Sequence, residues 1–168
     1  MCMRILLFFF IIFSLFLSSC AQKKTNVEII EEKEINLQMI DAYQEGLDAL
    51  ARQDSLTAAK KFSEAELLFP QSEWAPRAAL MSAYSYYSQG YYSDTIYELK
   101  RFLNTYPKHP RTDYAYYFLG ITYYDNIVDE TKDLDPILKS KEYFEYLIKN
   151  FSNTDYALDA KFKLDLIQ

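Results

Sequence analysis

From residue 37 onward the apolar positions fall three and four apart, the spacing of a single helix face. The pattern predicts seven helices, over 37–52, 56–69, 75–89, 92–105, 113–127, 136–150 and 156–168. Short polar or proline-bearing turns separate them. The chain also matches itself at an offset of 37 residues. Phe69-Pro70-Gln71-Ser72 falls on Tyr106-Pro107-Lys108-His109, and Phe62 falls on Leu99. Upstream, Gly46, Ala83 and Gly120 share the spacing, as do Ala49, Tyr86 and Tyr123. Each unit therefore reads as helix, short turn, helix, with a small residue in the first helix where a neighbouring helix can approach closely. Phe151-Ser152 ends the third unit with serine in place of proline, and a longer acidic loop, 128–135, interrupts it. The expected fold is all-α: about three helix-turn-helix repeats plus one further helix.

Ahead of the repeats the pattern changes. Residues 5–17 form an apolar run broken only by Ser14, behind a short segment carrying Arg4. A membrane-spanning helix needs 18 or more such residues, so the run has the length of a signal peptide. It ends in Leu17-Ser18-Ser19-Cys20, which resembles the lipobox of bacterial lipoproteins. That resemblance implies a signal peptide over 1–19, lipid on Cys20, and anchoring by several acyl chains, each buried methylene adding about 0.8 kcal/mol. Ala21 is not the aspartate associated with inner-membrane retention, so the resemblance places the anchor at the periplasmic face of the outer membrane. Residues 20–36 read as the lipidated cysteine and a solvated, flexible tether, leaving 37–168 as the repeat domain.

Composition narrows the chemistry. The formal net charge is −6, and no Lys/Arg cluster stands ready to neutralise phosphates, which argues against nucleic acid. Of the two cysteines Cys2 lies in the leader, so Cys20 has no partner for an internal disulfide. His109 is the only histidine and sits in a Pro-flanked loop without a second ligand nearby, so no metal site is expected. The acidic residues between Asp125 and Asp135 lack the mid-loop glycine of a calcium-binding loop. Neither a nucleophile with its base nor a phosphate-cradling loop is recognisable. The expectation is a protein that binds other proteins, catalyses nothing, and carries no cofactor beyond the covalent lipid on Cys20.

With 16 tyrosines and only 3 glycines, the helices carry more phenols than packing alone requires. In the second unit Ala79, Ala83 and Tyr86 point into the packing, which turns Arg77, Leu80, Tyr84 and Tyr87 to the adjacent stripe. Shifting by 37 gives Tyr114, Tyr117, Ile121 and Tyr124, and shifting back gives Ile40, Tyr43, Leu47 and Leu50. Such a stripe either fills a core or lines a groove; the candidate groove residues are Tyr43, Leu47, Arg77, Leu80, Tyr84, Tyr87, Tyr114, Tyr117 and Tyr124. Trp74 is expected to plug the joint between the first two units.

This small-residue, aromatic and terminal-proline pattern resembles the tetratricopeptide repeat, whose unit is 34 residues. That likeness implies a right-handed superhelix with the first helices lining its concave face. Phe69-Pro70-Gln71-Ser72-Glu73-Trp74-Ala75-Pro76, Ala83-Tyr84-Ser85-Tyr86-Tyr87 and Asp113-Tyr114-Ala115-Tyr116-Tyr117 are together similar to the BamD (ComL) family of outer-membrane assembly lipoproteins. Members of that family have about five repeats, and this chain stops inside the fourth. The resemblance implies a subunit of the machinery that inserts β-barrels into the outer membrane. Its partners would be the barrel-forming assembly subunit, accessory lipoproteins of the same complex, and unfolded outer-membrane proteins held by an aromatic-ended strand. The residues alone leave open a periplasmic repeat scaffold serving cell division, the cell wall or secretion.

Overall fold

The computed structural model describes residues 32–127 and 133–167. Seven helices make up this part, with no strand among the described residues. They are α1 (Glu32–Ala51), α2 (Ser55–Leu68), α3 (Ala75–Tyr87), α4 (Tyr92–Thr105), α5 (Thr112–Asp125), α6 (Asp135–Asn150) and α7 (Asp155–Leu166). The sequence places six of these to within a few residues. The exception is α1, which starts at Glu32, inside the segment 20–36 expected to be a tether. Glu and Lys are good helix formers, and acidic side chains favour the positive end of a helix, so the polar run extends the helix outward. The expected signal peptide and Cys20 lie outside the described residues, as does the acidic loop between Val128 and Lys132.

Local chemistry sets the boundaries. Gln53 takes a left-handed turn (φ 61°), and the Asp54 carboxylate then caps α2 by accepting from the Thr57 amide at 3.1 Å. Pro70 and Pro107 follow the ends of α2 and α4, and Pro76 and Pro136 occupy first turns, where a missing N–H costs nothing. Gly90 supplies the positive φ (75°) between α3 and α4. Thr154 caps α7 by accepting from the Ala157 amide at 3.2 Å.

Each helix packs on its neighbours in sequence, and α5 also meets α7. The core is accordingly a string of clusters. Ala49, Ala58 and Phe62 join α1 to α2, and Met39, Ala42, Ala65 and Ala78 join that pair to α3. A larger cluster runs from Ala79 and Ala83 through Leu99 and Phe102 to Phe118 and Tyr123, and Phe144, Leu147, Ala157 and Ala160 close the far end. This nearest-neighbour arrangement is that of a helical-repeat protein.

The small residues spaced at 37 do what their size suggests. A Cβ at Gly46 would lie 2.8 Å from the Phe62 ring, and one at Gly120 would press harder still on Phe144. The second unit has Ala83 and Leu99 at these places, both fully buried, so a methyl is matched by a smaller partner. Close approach also lets Ser140 donate to the Gly120 carbonyl at 3.0 Å and Ser82 to the Ala59 carbonyl at 3.3 Å. No buried side-chain polar atom among the described residues lacks a partner.

On the side formed by the second helices, Glu66 of α2 is buried and takes the Arg101 guanidinium of α4 through two bonds of 2.9 and 2.6 Å. Tyr106 donates to the same carboxylate at 2.8 Å, and Glu98 holds Arg101 from the other side at 2.9 Å. These contacts raise the Arg101 pKa, and burial with the bond to Glu66 raises that of the Tyr106 phenol. The network ties the first two units together behind their first helices.

Candidate functional site

The first helices of consecutive units stand side by side and leave an open cleft of about 480 Å3. Tyr43 comes from α1, Arg77, Leu80, Met81 and Tyr84 from α3, Tyr114 from α5, and Arg111 from the residue just before α5. Volume and lining suit a ligand site, with apolar floor, aromatic walls and a few polar groups. Leu80 is 6% exposed and forms the floor, whereas Tyr84 is 44% exposed and stands as a wall. The phenols of Tyr43, Tyr84 and Tyr114 make no hydrogen bond among the described residues. Burial raises the Tyr43 pKa against the opposing pull of Arg77, and burial raises that of Tyr114 against Arg111.

Trp74 borders this cleft. It lies at the start of α3, meets the Tyr43 ring edge-on at 5.5 Å, and has the Arg77 guanidinium 5.2 Å from its ring centroid. It is 42% exposed, so it is not the buried plug that its position between two units suggests. The Pro76 turn brings the indole out beside Tyr43 rather than down between the helices. Arg77 is thereby stacked on an aromatic face.

The electrostatics of the cleft follow from its lining. No Asp or Glu borders it, and neither Arg77 nor Arg111 has an ion-pair partner among the described residues. Elsewhere Lys61 pairs with Glu45 and Glu64, Arg101 with Glu66 and Glu98, and Lys139 with Glu142. His109 sits beside the cleft, edge-on to Phe102 at 5.7 Å, with its Nδ1 accepting from the Arg111 amide at 3.2 Å. Burial first, then the charges of Arg111 and Arg77, lower its pKa below 6.5.

The remaining stripe residues do not continue the cleft. Tyr87 donates to Asp125 and packs on Phe118, and Tyr117 donates to Asp159 of α7 at 2.6 Å while its ring lies 5.2 Å from Tyr156. Burial and these carboxylates push both phenol pKa values up. Tyr124 lies under the Lys163 ammonium at 5.1 Å. Ile121 packs into the last core cluster and Leu50 into the first. Leu47 and Ile40 are exposed on α1 away from the cleft lining. The cleft thus occupies one part of the stripe across the first three first-helices, and in the other part the tyrosines of α3 and α5 are engaged by carboxylates and a lysine from the next first helix. Arg111 and Met81 are the lining residues that sequence reasoning missed. Arg111 carried a signal, because it lies 37 residues after Trp74 and so occupies the same repeat position.

Among the described residues no cluster of metal-ligating side chains occurs, and no helix is long and apolar enough to cross a membrane. The arrangement can receive an extended, aromatic-bearing segment and hold an anion beside it.

Comparison with known proteins agrees with this architecture. The chain is 32% identical to the outer membrane protein assembly factor BamD of Caulobacter vibrioides, over 89% of this chain and 48% of that protein. It is 32% identical to the BamD of Rickettsia prowazekii, over 94% of this chain and 60% of that protein. It is 28% identical to the BamD of Neisseria gonorrhoeae, over 86% of this chain and 57% of that protein. The chain therefore spans about half to three-fifths of the length of these relatives. The model of the YfiO family, described as outer membrane lipoprotein, matches residues 36–168, essentially the whole repeat domain, and the chain belongs to that family.

Proposed function

We propose that this chain serves outer-membrane protein assembly by receiving segments of unfolded barrel proteins in the cleft between Tyr43, Tyr84 and Tyr114. It does so as a non-enzymatic, lipid-anchored subunit, held through Cys20 at the periplasmic face of the outer membrane. Its partners are the barrel-forming assembly subunit and accessory lipoproteins of the same complex. The observation that carries the reading is the open aromatic cleft itself, in a chain whose relatives are named assembly factors. Strands of membrane barrels end in girdles of aromatic side chains, which suit a half-wet surface of phenols over an apolar floor.

The test uses the full chain in detergent micelles and a labelled peptide with the aromatic-ended last strand of an outer-membrane barrel. Micromolar binding is expected, weakened at least fivefold by Tyr84→Ala with an unchanged helical circular dichroism spectrum. A well-folded chain that ignores the strand, yet captures division or cell-wall proteins, would replace this reading with that of a periplasmic scaffold.

A further inference from the structure

We propose that Tyr116 and Tyr146 form an oxidative cross-linking site, at which a one-electron oxidant couples the two rings into a dityrosine that staples α5 to α6.

Geometry is the first argument. The two ring centroids lie 4.4 Å apart with 40° between the planes, whereas the next closest ring pairs among the described residues are at 5.0 Å. Aromatic pairs in proteins usually sit about 4.5–7 Å apart, so this one is held unusually close. Burial, and then the Tyr146 hydroxyl, push the Tyr116 phenol up to about 12, which makes the hydroxyl ends of the two rings neighbours. The carbons flanking each hydroxyl, where a phenoxyl radical is reactive, therefore lie at the facing ends of the pair. Phe151 packs against both rings, 6.0 Å from Tyr116 and 6.5 Å from Tyr146, and both tyrosines stand on helices. Two reactive groups held in this way couple in a unimolecular step and outpace encounters between molecules.

Access is the second argument. Tyr146 is 43% exposed, so oxidant reaches it and its proton can leave to water. Behind the pair, Tyr116 lies 6.5 Å from Tyr143, which stacks on Tyr123 at 5.6 Å. Phenols this close exchange electrons, so an oxidising equivalent landing on any of the four can reach the pair. Other tyrosines lack the combination. Tyr117 and Tyr156 are 5.2 Å apart, but the Tyr117 hydroxyl is turned to Asp159. Tyr97, the most exposed of the described tyrosines, meets no other ring among the described residues.

In the coupling each phenol gives up one electron and one proton. The two phenoxyl radicals join through a new C–C bond between carbons adjacent to the hydroxyls, and the hydrogens on those carbons move to the oxygens, restoring two phenols. The net loss is two electrons and two protons, which one hydrogen peroxide accepts at a peroxidase haem as it becomes two waters. The new bond closes the chain between Tyr116 and Tyr146 into a loop and restrains the unfolded state, as a disulfide does.

The experiment oxidises the full chain, dilute and in detergent micelles, with persulfate and photo-excited ruthenium tris-bipyridyl, a one-electron oxidant small enough to reach a half-buried pair. The monomer is then digested with trypsin. The expected product joins peptide 112–132 to peptide 142–149 with the loss of two hydrogens and shows dityrosine fluorescence. Tyr116→Phe and Tyr146→Phe keep the rings and remove one hydroxyl each, and either should cut the yield at least tenfold. Tyr143→Phe should leave the yield within about twofold, and circular dichroism verifies that all three variants fold. A cross-link lost in Tyr143→Phe and kept in Tyr146→Phe would move the bond to Tyr123 and Tyr143 and overturn the assignment. Dityrosine confined to dimers would overturn it as well, being the product of exposed tyrosines such as Tyr97. So would a monomer free of dityrosine and oxidised instead at Trp74 or at methionine.

Discussion

The tyrosine stripe along the first helices has two different ends. Around Tyr43, Tyr84 and Tyr114 the phenols lack hydrogen-bond partners among the described residues, and two arginines stand unpaired beside them. Around Tyr87, Tyr117 and Tyr124 the stripe is tied, because Asp125, Asp159 and Lys163 each reach across from the next first helix. The residue type is the same at both ends, and only what stands opposite it differs. In a repeat protein the role of a position is therefore set by its neighbour as much as by its own side chain. A phenol facing a carboxylate becomes a joint between units, and one without such a partner keeps its hydroxyl available to a ligand.

The largest expected way to break this contrast lies at the tied end. Gly120→Ala would drive a methyl into the Phe144 ring, costing about 1–3 kcal/mol of stability as overpacking does. Chemical denaturation measures this, and Phe144→Leu in the same chain should recover most of the loss, since Ala83 and Leu99 already coexist in the second unit. A Gly120→Ala chain as stable as the parent would show that the helices have room to separate. Next in size is Tyr117→Phe, which deletes one bond to a partly exposed carboxylate at a cost of roughly 1 kcal/mol. It should leave peptide affinity unchanged, and a loss of affinity without a loss of stability would mean that the tied end binds ligand after all. The smallest effect belongs to His109. Its folded-state pKa is depressed, so the unfolded chain binds the proton more readily and stability rises with pH. Its contribution is full above about pH 6.5 and drains away as pH falls toward the folded-state value. Thermal melts at pH 7.5 and 5.0 should therefore differ more for the parent than for His109→Gln.

Much of the scaffold was legible because its determinants are local or periodic. Prolines 70 and 107 stop helices by their own geometry, and the spacing of Gly46, Ala83 and Gly120 announced close approach before any partner was known. The extent of the cleft was not legible, and the reason is arithmetic. Tyr87 and Tyr117 find their carboxylates 38 and 42 positions away, and Glu66 finds Arg101 at 35, none of which is the repeat of 37. Pairings off the period leave no trace in a self-comparison. Trp74 failed as a plug for a related reason: adjacency to a proline fixed where its backbone goes, and not which side of the joint its ring would take. Periodicity found the stripe, and only the packing of α5 and α7 against it divided the stripe in two.

The buried Glu66–Arg101 pair has a mechanical side. The equivalent positions one repeat later are Leu103 and, past the longer loop of the third unit, Tyr146, which carry no charge, so the ionic tie behind the first two units is not repeated behind the next two. The following joint is held instead by Lys100, whose ammonium donates to Tyr123 at 3.1 Å, and by the stacking of Tyr123 on Tyr143 with ring centroids 5.6 Å apart. The charged tie joins the units that carry Tyr43 and Tyr84, and the aromatic one joins on the unit that carries Tyr114, so the walls of the cleft are spaced by two different kinds of joint.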